Sequence, residues 1–160
     1  MPANRVTVTV SHTVHVSRSP EEVFDYTQDY TTRMDWDPTV KSAKVLSEDP
    51  RRVQVALEGI GPLVIEYKLF RRGERTSAAF TDVSSRLIAG GGGSWSYEPR
   101  DGGTDWTETS TLEFRNGLVG RLFAPLLRRN MATLTRKAMD KAKSIMESQA
   151  SDQSSRRMTG

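Results

Sequence analysis

The sequence contains no cysteine. That removes a disulfide scaffold, a thiolate nucleophile and any cysteine metal site. Histidine is almost as scarce: His12 and His15 are the only two, and residues three apart on a strand point to opposite faces, so they cannot share a metal ion. No His-Glu-x-x-His run and no Gly-x-Ser-x-Gly elbow occurs. The glycines at 90–93 are followed neither by the Lys-Ser/Thr of a phosphate loop nor by a helix-opening glycine. Metal hydrolases, thiol enzymes, nucleoside triphosphatases and nicotinamide enzymes are disfavoured, and no metal or cofactor is expected. No apolar run reaches the roughly 18 residues of a membrane span. Residues 1–10 lack the basic-then-apolar order of a secretory signal. With cysteine absent as well, a cytoplasmic location is expected. An excess of one charge sign is missing too: 23 Lys and Arg against 20 Asp and Glu give +3, too little to argue for nucleic acid. The late basic residues, among them Arg128, Arg129, Arg136, Lys137, Lys141, Lys143, Arg156 and Arg157, read as a solvated helix face and tail.

What is present is the patterning of one ordinary domain: 160 residues, 36% hydrophobic and 27% charged. Val6, Val8, Val10, His12, Val14 and Val16 alternate with Thr7, Thr9, Ser11, Thr13, His15 and Ser17, the period of a half-buried strand. Ser19-Pro20-Glu21-Glu22 then spells a capping box with proline at the first helical position. A short helix follows, with a second turn over 30–34. Strands are expected over 40–46, 53–58, 63–71 and 76–83, separated by turn residues. Residues 84–93, with four consecutive glycines, are expected to be loop, bulge or irregular edge. A hairpin pairs 94–98 with 105–114 around Arg100-Asp101-Gly102-Gly103. Strands joined by turns make an antiparallel sheet. Leu127, Met131, Leu134, Ala138, Ala142 and Ile145 then form one stripe of a helix over 126–146, which must bury against that sheet. The organisation expected is one domain over 1–148 and a disordered tail over 149–160.

The order of elements, with Ser-Pro-Glu-Glu-Val-Phe at 19–24, Trp36-Asp37-Pro38, Trp95-Ser96-Tyr97 and Gly102-Gly103-Thr104, resembles the START-like (SRPBCC) superfamily over roughly 5–147, and within it the polyketide cyclase/dehydrase family. The resemblance implies an α+β helix-grip fold: a curved antiparallel sheet of about seven strands, ordered β-α-α-β6-α, around a long C-terminal helix. It also implies a cavity between sheet and helix. The cyclases hold a poly-β-ketone there and direct its closure and dehydration, whereas other members carry lipids or other apolar molecules without chemistry.

Strand parity and the resemblance together nominate a site. Ile65, Tyr67, Leu69 and Arg71 share the apolar face of their strand, where the resemblance implies pocket aromatics and an arginine. Arg71 is then a candidate to hold a carbonyl or enolate oxygen. Trp95 and Trp36 match the cyclases' pocket and mouth tryptophans. Glu108 shares parity with Leu112 and Phe114, so it points inward as a candidate general acid or base. His12 lies on the valine face of the first strand. Leu127, Met131 and Leu134 form the helix side, with Asn130 near the mouth. Two family features are absent: no tyrosine lies between Trp36 and Tyr67, and Thr81 stands where a second arginine is expected.

Three functions remain open. The first is a cyclase or dehydratase using Arg71 and Glu108. The second is a carrier or sensor of a small hydrophobic or aromatic molecule. The third is a protein-interaction module contacting partners through the basic helix face. The expected partner is a small hydrophobic molecule, with no nucleic acid and no membrane span, and the protein is expected to be a monomer or homodimer.

Overall fold

The computed structural model describes residues 5–115 and 117–158. Strand β1 (Val6–Val16) leads into α1 (Pro20–Thr27) and the single turn α2 (Arg33–Trp36). The strands β2 (Val40–Glu48), β3 (Arg51–Leu57), β4 (Gly61–Leu69), β5 (Thr76–Thr81), β6 (Ile88–Arg100) and β7 (Gly103–Phe114) follow, and α3 (Gly117–Met158) closes the chain. The seven strands form one antiparallel sheet in the order β1-β7-β6-β5-β4-β3-β2. The curved sheet holds α3 against β1, β7, α1 and α2. This is the helix-grip architecture.

Local chemistry accounts for the elements. The valine face of β1 is turned inward, with Val8, Val10 and Val16 buried. Its outer face pairs hydroxyls with β7: Thr9 with Thr111 at 3.0 Å, Ser11 with Thr109 at 2.8 Å and Thr13 with Thr107 at 2.7 Å. Ser19 and Glu22 make the reciprocal capping box, and Pro20 opens α1.

Three expectations change. Residues 90–93 are not a loop but lie inside β6, paired with β5 and β7, and a register shift between Ile88 and Gly90 marks the irregularity. The run is required by close approach: a Cβ on Gly92 would sit 2.4 Å from the Ala78 carbonyl oxygen, and one on Gly91, where φ is +153°, would sit 2.3 Å from that of Thr111. The terminal helix runs through Pro125 and continues to Met158, where a disordered tail was expected. Finally, β4 ends at Leu69 after a register shift between Tyr67 and Leu69. Parity therefore breaks before Arg71.

The core has two parts. The larger gathers Trp36, Tyr67, Trp95, Tyr97 and Trp106 with Ala138, Met139, Ala142 and Met146 of α3. The smaller is Val8, Ile88 and Phe114, with Leu127 and Met131 packed against it. Among the described residues, no helix is long and apolar enough to cross a membrane.

Candidate functional site

The half of the molecule with the smaller core is incompletely filled. A cavity of about 350 Å³ opens between β7, the start of β6, the β3–β4 turn and the first half of α3. Leu57, Ile60, Phe80, Leu87, Leu112 and Phe114 line it from the sheet side, and Leu127, Met131, Leu134 and Ala138 line it from the helix. Its ionisable groups are Asp37, Glu58 and Glu108; no Lys, Arg or His is among the described lining residues.

Glu108 and Asp37 are buried, and Glu108 faces the cavity from mid-sheet. Its Oε1 accepts from Ser110 Oγ at 3.4 Å and lies 3.9 Å from Arg33 Nη2. Loss of hydration raises its pKa above the usual carboxylate value, and the Asp37 charge adds to this while Arg33 opposes it. The indole Nε1 of Trp95, its register partner on β6, finds no acceptor in hydrogen-bond geometry, yet is near enough to favour the ionised carboxylate slightly.

Behind Glu108, Arg33 is buried on the one-turn helix α2. Its Nε donates to Asp37 Oδ2 at 3.0 Å and its Nη1 to the Thr27 carbonyl at 3.2 Å, and its guanidinium lies 4.3 Å from the Trp36 ring centre. Asp37 and Glu108 both hold Arg33 in its charged form against the cost of burial. Asp37 Oδ1 in turn accepts from the Thr39 amide at 3.0 Å and its hydroxyl at 2.6 Å. Arg33, Asp37 and Glu108 thus form one buried charged group that reaches the cavity at its acidic end.

The nominated residues divide. Glu108, Leu127, Met131 and Leu134 meet at the cavity, with Asn130 beside them. Trp36, Ile65, Tyr67 and Trp95 are buried in the larger core instead. Trp36 packs edge-on against Trp106 at 5.7 Å, and Tyr67 stacks on Trp95 at 6.0 Å. The Tyr67 hydroxyl bonds Tyr30 at 2.9 Å and Gln28 Oε1 at 2.7 Å. Leu69, half-buried at the end of β4, is likewise outside the lining.

Arg71 is not brought to the cavity. It lies beyond β4, its side chain 66% exposed and 3.7 Å from Glu74. Past the register shift, Phe70 lies exposed beyond the strand's end with its ring against Phe24 and Tyr67. His12 is the register partner of Glu108 on β1, half-buried and outside the lining. Sequence reasoning missed Arg33, Asp37, Ile60 and Phe80. The spacing of Arg33 and Asp37, four apart around Trp36, carried a readable signal of an ion pair.

With this geometry in hand, comparison with known proteins is decisive at the family level. Residues 7–147 match the family model described as polyketide cyclase / dehydrase and lipid transport. The chain belongs to that family. Its fold is shared with the Zhui aromatase/cyclase from Streptomyces sp. R1128, at 16% identity and a TM-score of 0.72 over 89% of this chain and 94% of that one. A START superfamily protein from Mycobacterium smegmatis matches at 18% identity and 0.69, covering 88% and 97%. A protein from Thermus thermophilus matches at 17% and 0.71, covering 89% and 98%. At such identities the likeness is one of fold. No curated protein matches by sequence.

Proposed function

We propose that this family member binds a small, largely apolar molecule in the cavity, its polar end meeting the Glu108 carboxyl. The observation that carries this reading is the space itself: about 350 Å³, walled by leucine, isoleucine, phenylalanine and methionine side chains around the buried acids Glu108 and Asp37. The carboxyls in the lining select the polar end. A hydroxyl, amide or amine can donate to Glu108, whereas a fatty-acid carboxylate would meet like charge. Binding without chemistry is favoured by Arg71 standing at the surface and by Trp36, Tyr67 and Trp95 being occupied in the core. The second reading, cyclisation or dehydration of a polyketide-like substrate, is supported by the raised pKa of Glu108, which suits an acid–base group.

Titration with a neutral apolar dye, followed by competition, tests the proposal. Long-chain alcohols and amines should displace the dye more effectively than fatty acids of equal length. Leu134→Trp, which fills the cavity from the helix side, should weaken dye binding by about tenfold or more, roughly 1.4 kcal/mol. Undiminished binding in a folded Leu134→Trp protein would locate the ligand elsewhere. Turnover of a reactive polyketide mimic that is lost in Glu108→Gln would establish the second reading.

A further inference from the structure

The outward face of α3 beside the cavity is apolar where a solvated helix would be polar. Leu122 and Leu126, four residues apart, are 71% and 65% exposed, and Phe123 between them is 51% exposed. One face round, Leu127 lines the cavity. Leu87, 59% exposed, also lines the cavity and is tied to the start of the helix by the Arg115 amide, which donates to its carbonyl at 2.9 Å. Large exposed side chains grouped in this way mark an interaction surface.

The charge around them identifies what they meet. From Glu113 to Asp140 the sequence has no acidic residue, while Arg115, Arg121, Arg128, Arg129, Arg136 and Lys137 fall between. All six are exposed. Arg129 follows Leu126 by three positions and so continues its stripe, and Arg121 and Arg128 flank it. Leucine and phenylalanine edged by arginine is the composition of a helix lying in the plane of a lipid interface, its apolar side chains among the acyl chains and its guanidinium groups at the phosphates.

We propose that the first turns of α3, through Leu122, Phe123 and Leu126 with the surrounding arginines, dock onto an anionic lipid surface. Docking there sets Leu87 and Leu127, and with them the cavity mouth, against the bilayer. That last consequence rests on the cavity being a ligand site; the docking itself does not.

Co-sedimentation of the full chain with vesicles tests this. Vesicles of phosphatidylcholine with 30% phosphatidylglycerol (on the order of physiological anionic content) should bind the protein, and pure phosphatidylcholine should bind it far less. Raising the salt should release it. Arg128→Gln with Arg129→Gln should weaken partitioning by about thirtyfold, and Leu122→Gln with Leu126→Gln should reduce it at least as much. Both pairs are solvent-exposed, so the variants should fold, keep the parent thermal midpoint and still bind the neutral dye. Dye binding that fails in the parent while vesicle binding holds would sink the cavity reading alone. Equal binding to both vesicle types, or anionic binding unaffected by either pair of substitutions, overturns the proposal. So does light scattering that shows a dimer abolished by Leu122→Gln with Leu126→Gln in a protein that ignores vesicles, because the patch would then join two copies. Failure to bind anionic vesicles alongside stoichiometric capture of an acidic protein overturns it in favour of a protein partner.

Discussion

His12, Glu108 and Trp95 are register partners on β1, β7 and β6, so their side chains form one row across the inner face of the sheet. In the middle of that row a carboxyl loses most of its hydration, and its pKa rises above the ordinary 4.5. Below that value Glu108 is protonated in both the folded and the unfolded chain and costs nothing. As the pH climbs past it, the unfolded chain releases its proton first and the folded chain holds on. Stability therefore falls until the folded pKa is passed, and the full cost persists above it. Glu108→Gln removes the ionisation while keeping the shape. Its thermal midpoint should exceed that of the parent at neutral pH, and the two should converge near pH 4.5. Melting curves between about pH 4 and pH 8 measure this; a difference that does not change with pH would mean that Glu108 is ionised at little cost. Arg33 obeys the opposite logic. Arg33→Met leaves Asp37 buried without its cation and should cost about 3–5 kcal/mol in urea unfolding. Arg33→Lys should recover only part of this, since an ammonium cannot reproduce both the fork to Asp37 and Thr27 and the stacking on Trp36.

At the scale of elements, the glycine run of β6 tests how tightly the sheet is built. Gly92→Ala drives a methyl to 2.4 Å from the Ala78 carbonyl on the neighbouring strand. Backbone cannot yield there without opening the β5–β6 ladder, so a loss of about 1–3 kcal/mol is expected. Gly90→Ala is the control, because its Cβ would meet only the end of the Glu113 side chain at 3.4 Å. It should be close to neutral. Chemical denaturation of the pair distinguishes close approach from a general intolerance of side chains in this strand. The same run shows where sequence reading stops. Alternation exposed β1, because each valine reports which way it points, and the α3 stripe was equally legible. Four glycines report nothing, so the first part of β6, up to Gly93, read as loop while 94–98 read as strand. On β4, alternation was correct through Tyr67 and was carried two positions beyond the strand's end. The register shift is a backbone event without a side-chain signature, and it left Arg71 at the surface. Glu108 was readable because β7 keeps an unbroken register with β1 throughout its length. The spacing of Arg33 and Asp37 signalled an ion pair, but not its burial, because a one-turn helix has too few residues to show which face turns inward.

For the whole molecule, the two halves of the interior divide the work. Where the tryptophans and the tyrosine nominated for a pocket lie, the space is filled and carries stability; where the residues are leucine, isoleucine, methionine and phenylalanine, the space is open. The α3 helix spans both, and its contribution should end where its burial ends. Ala138, Met139, Ala142 and Met146 are buried, the Met146 carbonyl accepts from Arg18 at 3.0 and 3.1 Å, and Glu147 accepts from the Ser17 amide at 3.0 Å. Residues 151–158 are exposed without interruption. A chain ending at Ser148 keeps every one of those contacts. Its unfolding free energy should fall within about 0.5 kcal/mol of the full chain, as for changes on an exposed surface, and its affinity for a neutral apolar dye should be unchanged. A loss of about 2 kcal/mol or more would exceed what an exposed helix end can supply. It would mean that the last turns are held by another surface, a second copy being the first to test. Concentration dependence of the midpoint decides that point, since only an assembly becomes more stable as its own concentration rises.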